Sequence, residues 1–150
     1  MSQSLSKIAV HLVFTTKNRQ PLLHDDIRDE LHRYMAGILA AMESPAIAIG
    51  SVADHVHVLC LLSRNVAVAK LVEHVKKGTS KWLKTKGDTL AGFYWQSGYG
   101  VFSVSESNIE QVKAYIAGQA EHHRKTTFQD EYRAFLRKHN VEYDERYVWD

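Results

Sequence analysis

Hydrophobic and polar positions along this chain change period several times, and each change marks an element. Ile8, Val10, Leu12 and Phe14 alternate with Ala9, His11, Val13 and Thr15, the period of a strand. Polar residues from Lys17 to Pro21 break the alternation as a loop. Ile27, Leu31, Tyr34, Met35, Ile38, Leu39 and Met42 then recur at helical spacing over 25–42, and Pro45 closes that region. Residues 46–52 predict a second strand. A turn at Ala53 and Asp54 leads into a third, continuous apolar strand over 56–62. A helix over 66–85 places Leu71, Val75, Gly78 and Trp82 on one face and Lys77, Lys81 and Lys84 on another. The aromatic stretch 93–104, with Gly98 and Gly100, predicts a fourth strand entered through a bend. Ser105 or Ser107 is expected to cap the next helix, with Glu106 and Glu110 near its positive end, and that helix runs to about His123. A last helix over 127–139 packs Phe128, Phe135 and Leu136, and the aromatic tail is expected to dock on some surface, with a part in assembly.

The order β-α-β-β-α-β-α-α predicts an α+β fold in one domain over 1–150. Its first six elements match a ferredoxin-like βαββαβ sandwich, an antiparallel sheet with helices on one face, and the C-terminal helices follow. That plan hosts many functions, so function must come from a site.

Composition narrows the setting. Hydrophobic residues at 45% and charged residues at 24% suit a globular chain of 150 residues with a sizeable core. Cys60 stands alone inside an apolar strand, so an internal disulfide is excluded and a reducing, cytoplasmic location is expected. No stretch reads as a membrane span, and the first seven residues lack a signal-peptide core. A net charge of +2 does not by itself argue for nucleic acid, but six lysines crowd residues 70–86 against the single acid Glu73. Such a stripe is usually a solvated face.

The candidate chemistry begins with His55 and His57, one valine apart at the head of the third strand. Strand side chains alternate, so both imidazoles point the same way, close enough to share one metal ion. On this motif alone a metal site and a pair of polar residues on a half-exposed face are equally open. Tyr115 and Gln119 lie four apart on a helix and share a face, to which His122 returns. Taken alone, these are ordinary helix-surface residues.

Together they resemble the HUH single-tyrosine transposases of the IS-two-hundred-like insertion-sequence type. The resemblance rests on His55-Val56-His57, on Tyr115 to Gln119, on the opening run from Val10 to Arg19, on Trp95 to Gly100, and on Gln119 to His123. It implies that Tyr115 attacks a phosphodiester of hairpin-bearing single-stranded DNA, forming a 5′-phosphotyrosine link and freeing a 3′-hydroxyl that later rejoins strands. It implies a divalent metal, Mg2+ or Mn2+, held by His55, His57 and Gln119. It also implies a homodimer whose sites can be composite between subunits. Bond energy is conserved in this chemistry, and no phosphate-binding glycine loop is present. A phenol with a reference pKa of about 10 needs such assistance at neutral pH.

Beside such a site, Lys77, Lys81 and Lys84 become a phosphate track, Lys17 and Arg19 further backbone contacts, and Trp95, Tyr99 and Tyr94 candidate base-stacking residues, at least one of them a core residue. His122 is expected to touch DNA or orient the site, and His123 to turn away. The face joined by His11 is left open, and His24, His32, His74 and His139 read as surface residues. Two other readings are carried: a domesticated relative that processes chromosomal palindromic repeats, and a non-catalytic ferredoxin-like nucleic-acid-binding module.

Overall fold

The computed structural model describes residues 3–150; Met1 and Ser2, part of the segment read as lacking a signal-peptide core, lie outside the described residues. Strands β1 (Ala9–Thr15), β2 (Ala46–Ser51), β3 (His55–Leu61) and β4 (Gly100–Val104) form one sheet in the order β2-β3-β1-β4. Every neighbouring pair is antiparallel. Helices α1 (Asp25–Ala41) and α2 (Val68–Leu83) are the two crossovers of the expected plan.

Alternation sorts the sheet into two unlike faces. Val10, Leu12, Phe14, Val56, Val58 and Cys60 point to one side and meet Leu31, Met35 and Leu39 of α1 and Leu71, Val72 and Val75 of α2. This is the main core, and burial pushes the Cys60 thiol up to about 12, so it is an inert packing residue.

The opposite face is covered by the C-terminal helices α3 (Ile109–Ala117), α4 (Gln119–His122) and α5 (Phe128–Lys138). Two apolar clusters hold them. Ala9 and Leu59 pack against Ile109 and Ile116, while Val13 and Phe102 pack against Phe128 and Leu136. His11, His55 and His57 lie on this second face, and all three are buried.

Three local expectations change. The fourth strand is shorter than the aromatic stretch, because residues 93–99 cross the end of the sheet as coil with one bridge from Trp95 to Thr16. Trp95 serves the core there. It is 9% exposed, packs edge-on against Phe14 and Phe93, and donates its indole N–H to Thr79 Oγ1 at 2.9 Å. The helix bearing Tyr115 stops at Gly118 and restarts as α4, a break made easier by glycine's poor helix propensity. Neither Ser105 nor Ser107 caps α3: a short 3-10 turn over Glu106–Asn108 intervenes, and the two hydroxyls face each other at 3.2 Å.

The tail docks as expected. Tyr143, Val148 and Trp149 join the Phe102–Phe128 cluster, and Arg133 forks onto Glu145 at 2.7 and 3.2 Å while stacking over Trp149. Among the described residues no helix is long and apolar enough to cross a membrane.

Candidate active site

The strip of sheet between the two apolar clusters carries the histidines, and three helices bring the rest. His55 and His57 come from the start of β3, whose alternation sends both rings to the same face. Tyr115 comes from the last turn of α3 and Gln119 from the first residue of α4. The structure brings all four of these expected residues together.

It adds two more. Glu131, on the first turns of α5, is 4% exposed. Its Oε1 lies 3.0 Å from His57 Nε2 and 3.7 Å from His55 Nε2. Its Oε2 accepts a hydrogen bond from the Tyr115 hydroxyl and lies 3.0 Å from His122 Nε2 and 3.1 Å from His123 Nε2. His123 does not turn away. It lies four residues after Gln119 and so on the same helix face, and its Nε2 stands 3.0 Å from His55 Nε2 and 3.1 Å from Gln119 Oε1. His122 also reaches the site, 3.2 Å from the Tyr115 oxygen.

Hydrogen bonds behind the rings fix their orientation. His55 Nδ1 donates to Asp54 Oδ1 at 2.7 Å, and His123 Nδ1 donates to the Thr126 carbonyl at 2.9 Å. Both rings therefore offer Nε2 to the centre. His57 Nδ1 is paired with His11 Nε2 at 2.8 Å, which places His11 on the site face and gives the ring a fixed pose.

Electrostatics follow from this packing. Burial, followed by the neighbouring His57, holds His11 down at about 3, so it is neutral. Burial also lowers His57, although its hydrogen bond with Glu131 works the other way. Burial opposes charge on His123 too, but there the bond to Glu131 wins and its pKa rises. Glu131 is likewise penalised by burial, yet its bonds to His123 and His57 hold its carboxyl well below the usual range. Thr127 caps α5 by accepting the Asp130 N–H at 3.1 Å, and the positive end of that helix further favours a carboxylate at Glu131. Burial first, then the adjacent Glu131, raises the Tyr115 phenol, so it is protonated at rest.

The donor set fits a divalent ion. Ligand atoms of His55, His57, His123 and Glu131 lie within 4.8 Å of one another. Bonds of about 2.1 Å in octahedral geometry set adjacent donors roughly 3.0 Å apart, and several of the distances above match that spacing. The two Nε2 atoms of His55 and His123 face each other with their other nitrogens already engaged, an arrangement that a proton or a cation must bridge.

The expected DNA-contacting residues do not share one surface: Lys77, Lys81, Lys84 and Trp95 line a groove on the α2 face of the sheet, opposite the face that carries Tyr115, while His122 is at Tyr115 itself. Lys76, Lys77, Lys81, Lys84, Tyr94, Trp95 and Gln96 line a groove of about 460 Å³. Lys84 lies 4.3 Å from the Tyr94 ring centre, and Lys77 pairs with Glu73 at 2.8 Å. Lys76 donates to the Gln96 and Gly98 carbonyls at 2.7 and 2.8 Å, which pins the coil against α2. Gln96 N–H bonds the Thr15 carbonyl at 2.9 Å, and Thr15 is the strand partner of His55. Gln96, Arg19 and Tyr99 line a second cavity of about 300 Å³ under the tail. Lys17 sits 5.9 Å from the Tyr94 ring. His24 and His74 are at the surface as expected, whereas His32, bonded to Ser51 at 2.7 Å, and His139 are half-buried.

Comparison with known proteins gives the family and the fold. The chain is 25% identical over 118 residues to the ISDra2 transposase TnpA of Deinococcus radiodurans, a match covering 75% of this chain and 84% of that one. Its fold resembles a Deinococcus radiodurans protein assigned as a transposase, with a TM-score of 0.62 and 24% identity over 79% of this chain and 98% of that one. It also resembles the REP-associated tyrosine transposase bound to a REP hairpin, with a TM-score of 0.60 and 13% identity over 97% of this chain and 96% of that one. The family model described as "Transposase IS200 like" matches residues 4–119, which include His55, His57, Tyr115 and Gln119 but neither His123 nor Glu131, and the chain belongs to that family.

Proposed function

We propose that this transposase cleaves and rejoins hairpin-bearing single-stranded DNA through a covalent 5′-phosphotyrosine at Tyr115. The observation that carries the reading is the convergence of Tyr115, His55, His57 and Gln119 on one buried cluster. His55, His57 and Gln119 would hold Mg2+ or Mn2+, whose chemistry when bound is Lewis-acid polarisation of the scissile phosphate. As ligands these three side chains bring no negative charge of their own to the ion. Imidazole donors favour Mn2+ and abundance favours Mg2+.

The protein's own groups do the rest. Packing of α3 on the sheet presents the Tyr115 oxygen at the edge of the cluster, beside a cavity lined by His122, Glu131 and Phe135. The phenol's proton has two acceptors in reach, Glu131 Oε2 and His122 Nε2. The oxygen attacks phosphorus, the bond to the 3′-oxygen breaks, and the 5′-phosphate stays on the tyrosine. Lys77, Lys81 and Lys84 carry the strand's phosphates along the α2 groove. Tyr94 and Tyr99 stack bases, and Lys17 and Arg19 guide the strand past Gln96 toward His55. Trp95 contributes the floor of that groove.

Tyr115 already stands at the histidines of its own chain, so pairing of two chains would serve to bring two DNA ends together rather than to complete the site. A second reading, with the same chemistry acting on chromosomal palindromic repeats, draws support from the fold match that runs through 97% of this chain, α5 and tail included.

The test is adduct formation. Wild type with Mn2+ and a single-stranded hairpin substrate should yield a denaturant-resistant protein–DNA species, and Tyr115→Phe should bind the same DNA without forming it. Binding without any wild-type adduct would leave the nucleic-acid-binding module as the reading.

A further inference from the structure

Glu131 lies outside the segment that defines the family, yet it is the most connected side chain in the site. Its isolation from water demands an explanation: acids are almost never fully buried unless paired or ligating. The two oxygens face different chemistry. Oε1 points at His57 and His55, the two histidines of the metal motif. Oε2 accepts from the Tyr115 hydroxyl and faces His122 and His123.

We propose that Glu131 is a bridging positioning residue, a carboxylate ligand to the divalent ion through Oε1 that holds the Tyr115 hydroxyl through Oε2. The proposal rests on the reading of Tyr115 as nucleophile. One rigid carboxylate then couples two things that must be placed together, the ion on the phosphate and the oxygen that attacks it. A carboxylate can accept at both of its oxygens at once, whereas an amide offers one accepting oxygen and an NH2 that only donates. Helix α5 makes the bridge stiff, since Thr127 caps its start and Phe128 and Leu136 anchor it to the sheet. The coupling also keeps the nucleophile with the ion of its own chain.

The full-length protein tests this as wild type and Glu131→Gln. Mn2+ affinity is measured without DNA by electron paramagnetic resonance of the free ion, and adduct formation is timed on a hairpin-bearing single strand. Glu131→Gln should weaken Mn2+ binding at least tenfold. It should also remain at least tenfold slow at saturating Mn2+, because the phenol has lost its anchor. A merely structural residue would not depress the rate once metal is saturating and the fold is intact by circular dichroism. A measurement on wild type alone guards against misfolding. With ring-labelled tyrosine, Mg2+ addition should leave the Tyr115 hydroxyl proton in slow exchange. Release of that proton on Mg2+ binding would overturn the bridge, since the carboxylate would then serve the ion or the phenol but not both. If wild type forms adduct and Glu131→Gln matches it in Mn2+ affinity and rate, the bridge alone is wrong. If wild type forms no adduct, the transposase chemistry fails and the bridge with it.

Discussion

Gly50 lies in β2 directly across from His57, under the helix that carries Tyr115. A Cβ at Gly50 would come 2.5 Å from the Ile116 carbonyl oxygen and 2.8 Å from Ile116 Cγ2. The nearer atom is backbone, so the whole turn must move rather than one rotamer. Restoring an ordinary 3.4 Å contact from 2.5 Å requires about 0.9 Å of displacement. Ile116 is the neighbour of Tyr115, so that displacement moves the nucleophile by a similar amount. Overpacking of this kind costs about 1–3 kcal/mol, which for a chain of this size lowers the melting temperature by about 2–12 °C. A misplacement near 1 Å at a reacting group costs about a hundredfold in rate. Gly50→Ala should therefore remain folded and form the covalent adduct about a hundredfold more slowly. Gly37→Ala is the matched control: it lies on α1 with nothing within 4 Å of a new Cβ, and should stabilise the helix by up to about 1 kcal/mol with no change in rate. Melting curves and adduct time courses read both variants. A Gly50→Ala protein that cleaves at the wild-type rate would refute the claim that close seating of α3 on β2 positions Tyr115.

Other consequences follow from the same site. His57→Ala should keep its fold, lose most Mn2+ affinity by calorimetry, and drop adduct formation on the order of a thousandfold or more. Stability of the metal-free protein should peak near neutral pH. The unfolded chain protonates His11 below about 6.5, and the folded chain only at about 3, so stability falls as pH drops through that window, by about 1.4 kcal/mol per unit at its steepest for that one group. His57, also lowered, adds to the same loss. The raised His123 acts on the other side: its contribution is present below about 6.5 and lost as pH climbs through its folded value. Urea titrations across pH 4 to 9 check this, and a stability flat from pH 7 to 5 would contradict it. Replacing Lys77, Lys81 and Lys84 together by alanine should reduce the slope of log affinity against log salt for single-stranded DNA by about 2; an unchanged slope would place the phosphates elsewhere.

The sheet, both crossover helices and the His55–His57 pair were legible because each depends on local periodicity. Strand alternation alone requires those two rings to share a face. Tyr115 and Gln119 were legible as motif residues. His123 was misread although the signal was there: it lies four residues after Gln119, a spacing that puts both on one helix face, and the two side chains meet at 3.1 Å. Glu131 was hidden for a different reason: it stands in an acidic tail where carboxylates read as solvated. A signal was present, since helical spacing puts Glu131 on the same face as Phe128 and Phe135, and an acid inside an apolar face asks for a buried partner. Trp95 shows the opposite limit. Its aromatic neighbours suggested strand and stacking surface, but the tertiary bond to Thr79 assigns it to the core. The second layer of helices could not be placed by pattern, because the histidines on their side of the sheet break the apolar alternation that would have announced a buried face.

The central claim is that the Tyr115 oxygen forms the covalent bond to DNA, and the most direct measurement is to find the residue that carries the nucleotide. Wild-type protein is incubated with Mn2+ and a hairpin-bearing single strand, denatured, digested with protease and nuclease, and sequenced by mass spectrometry. The account predicts a nucleotide attached through its 5′-phosphate to Tyr115 and to no other tyrosine. Attachment at any other residue, or through a 3′-phosphate, would contradict it.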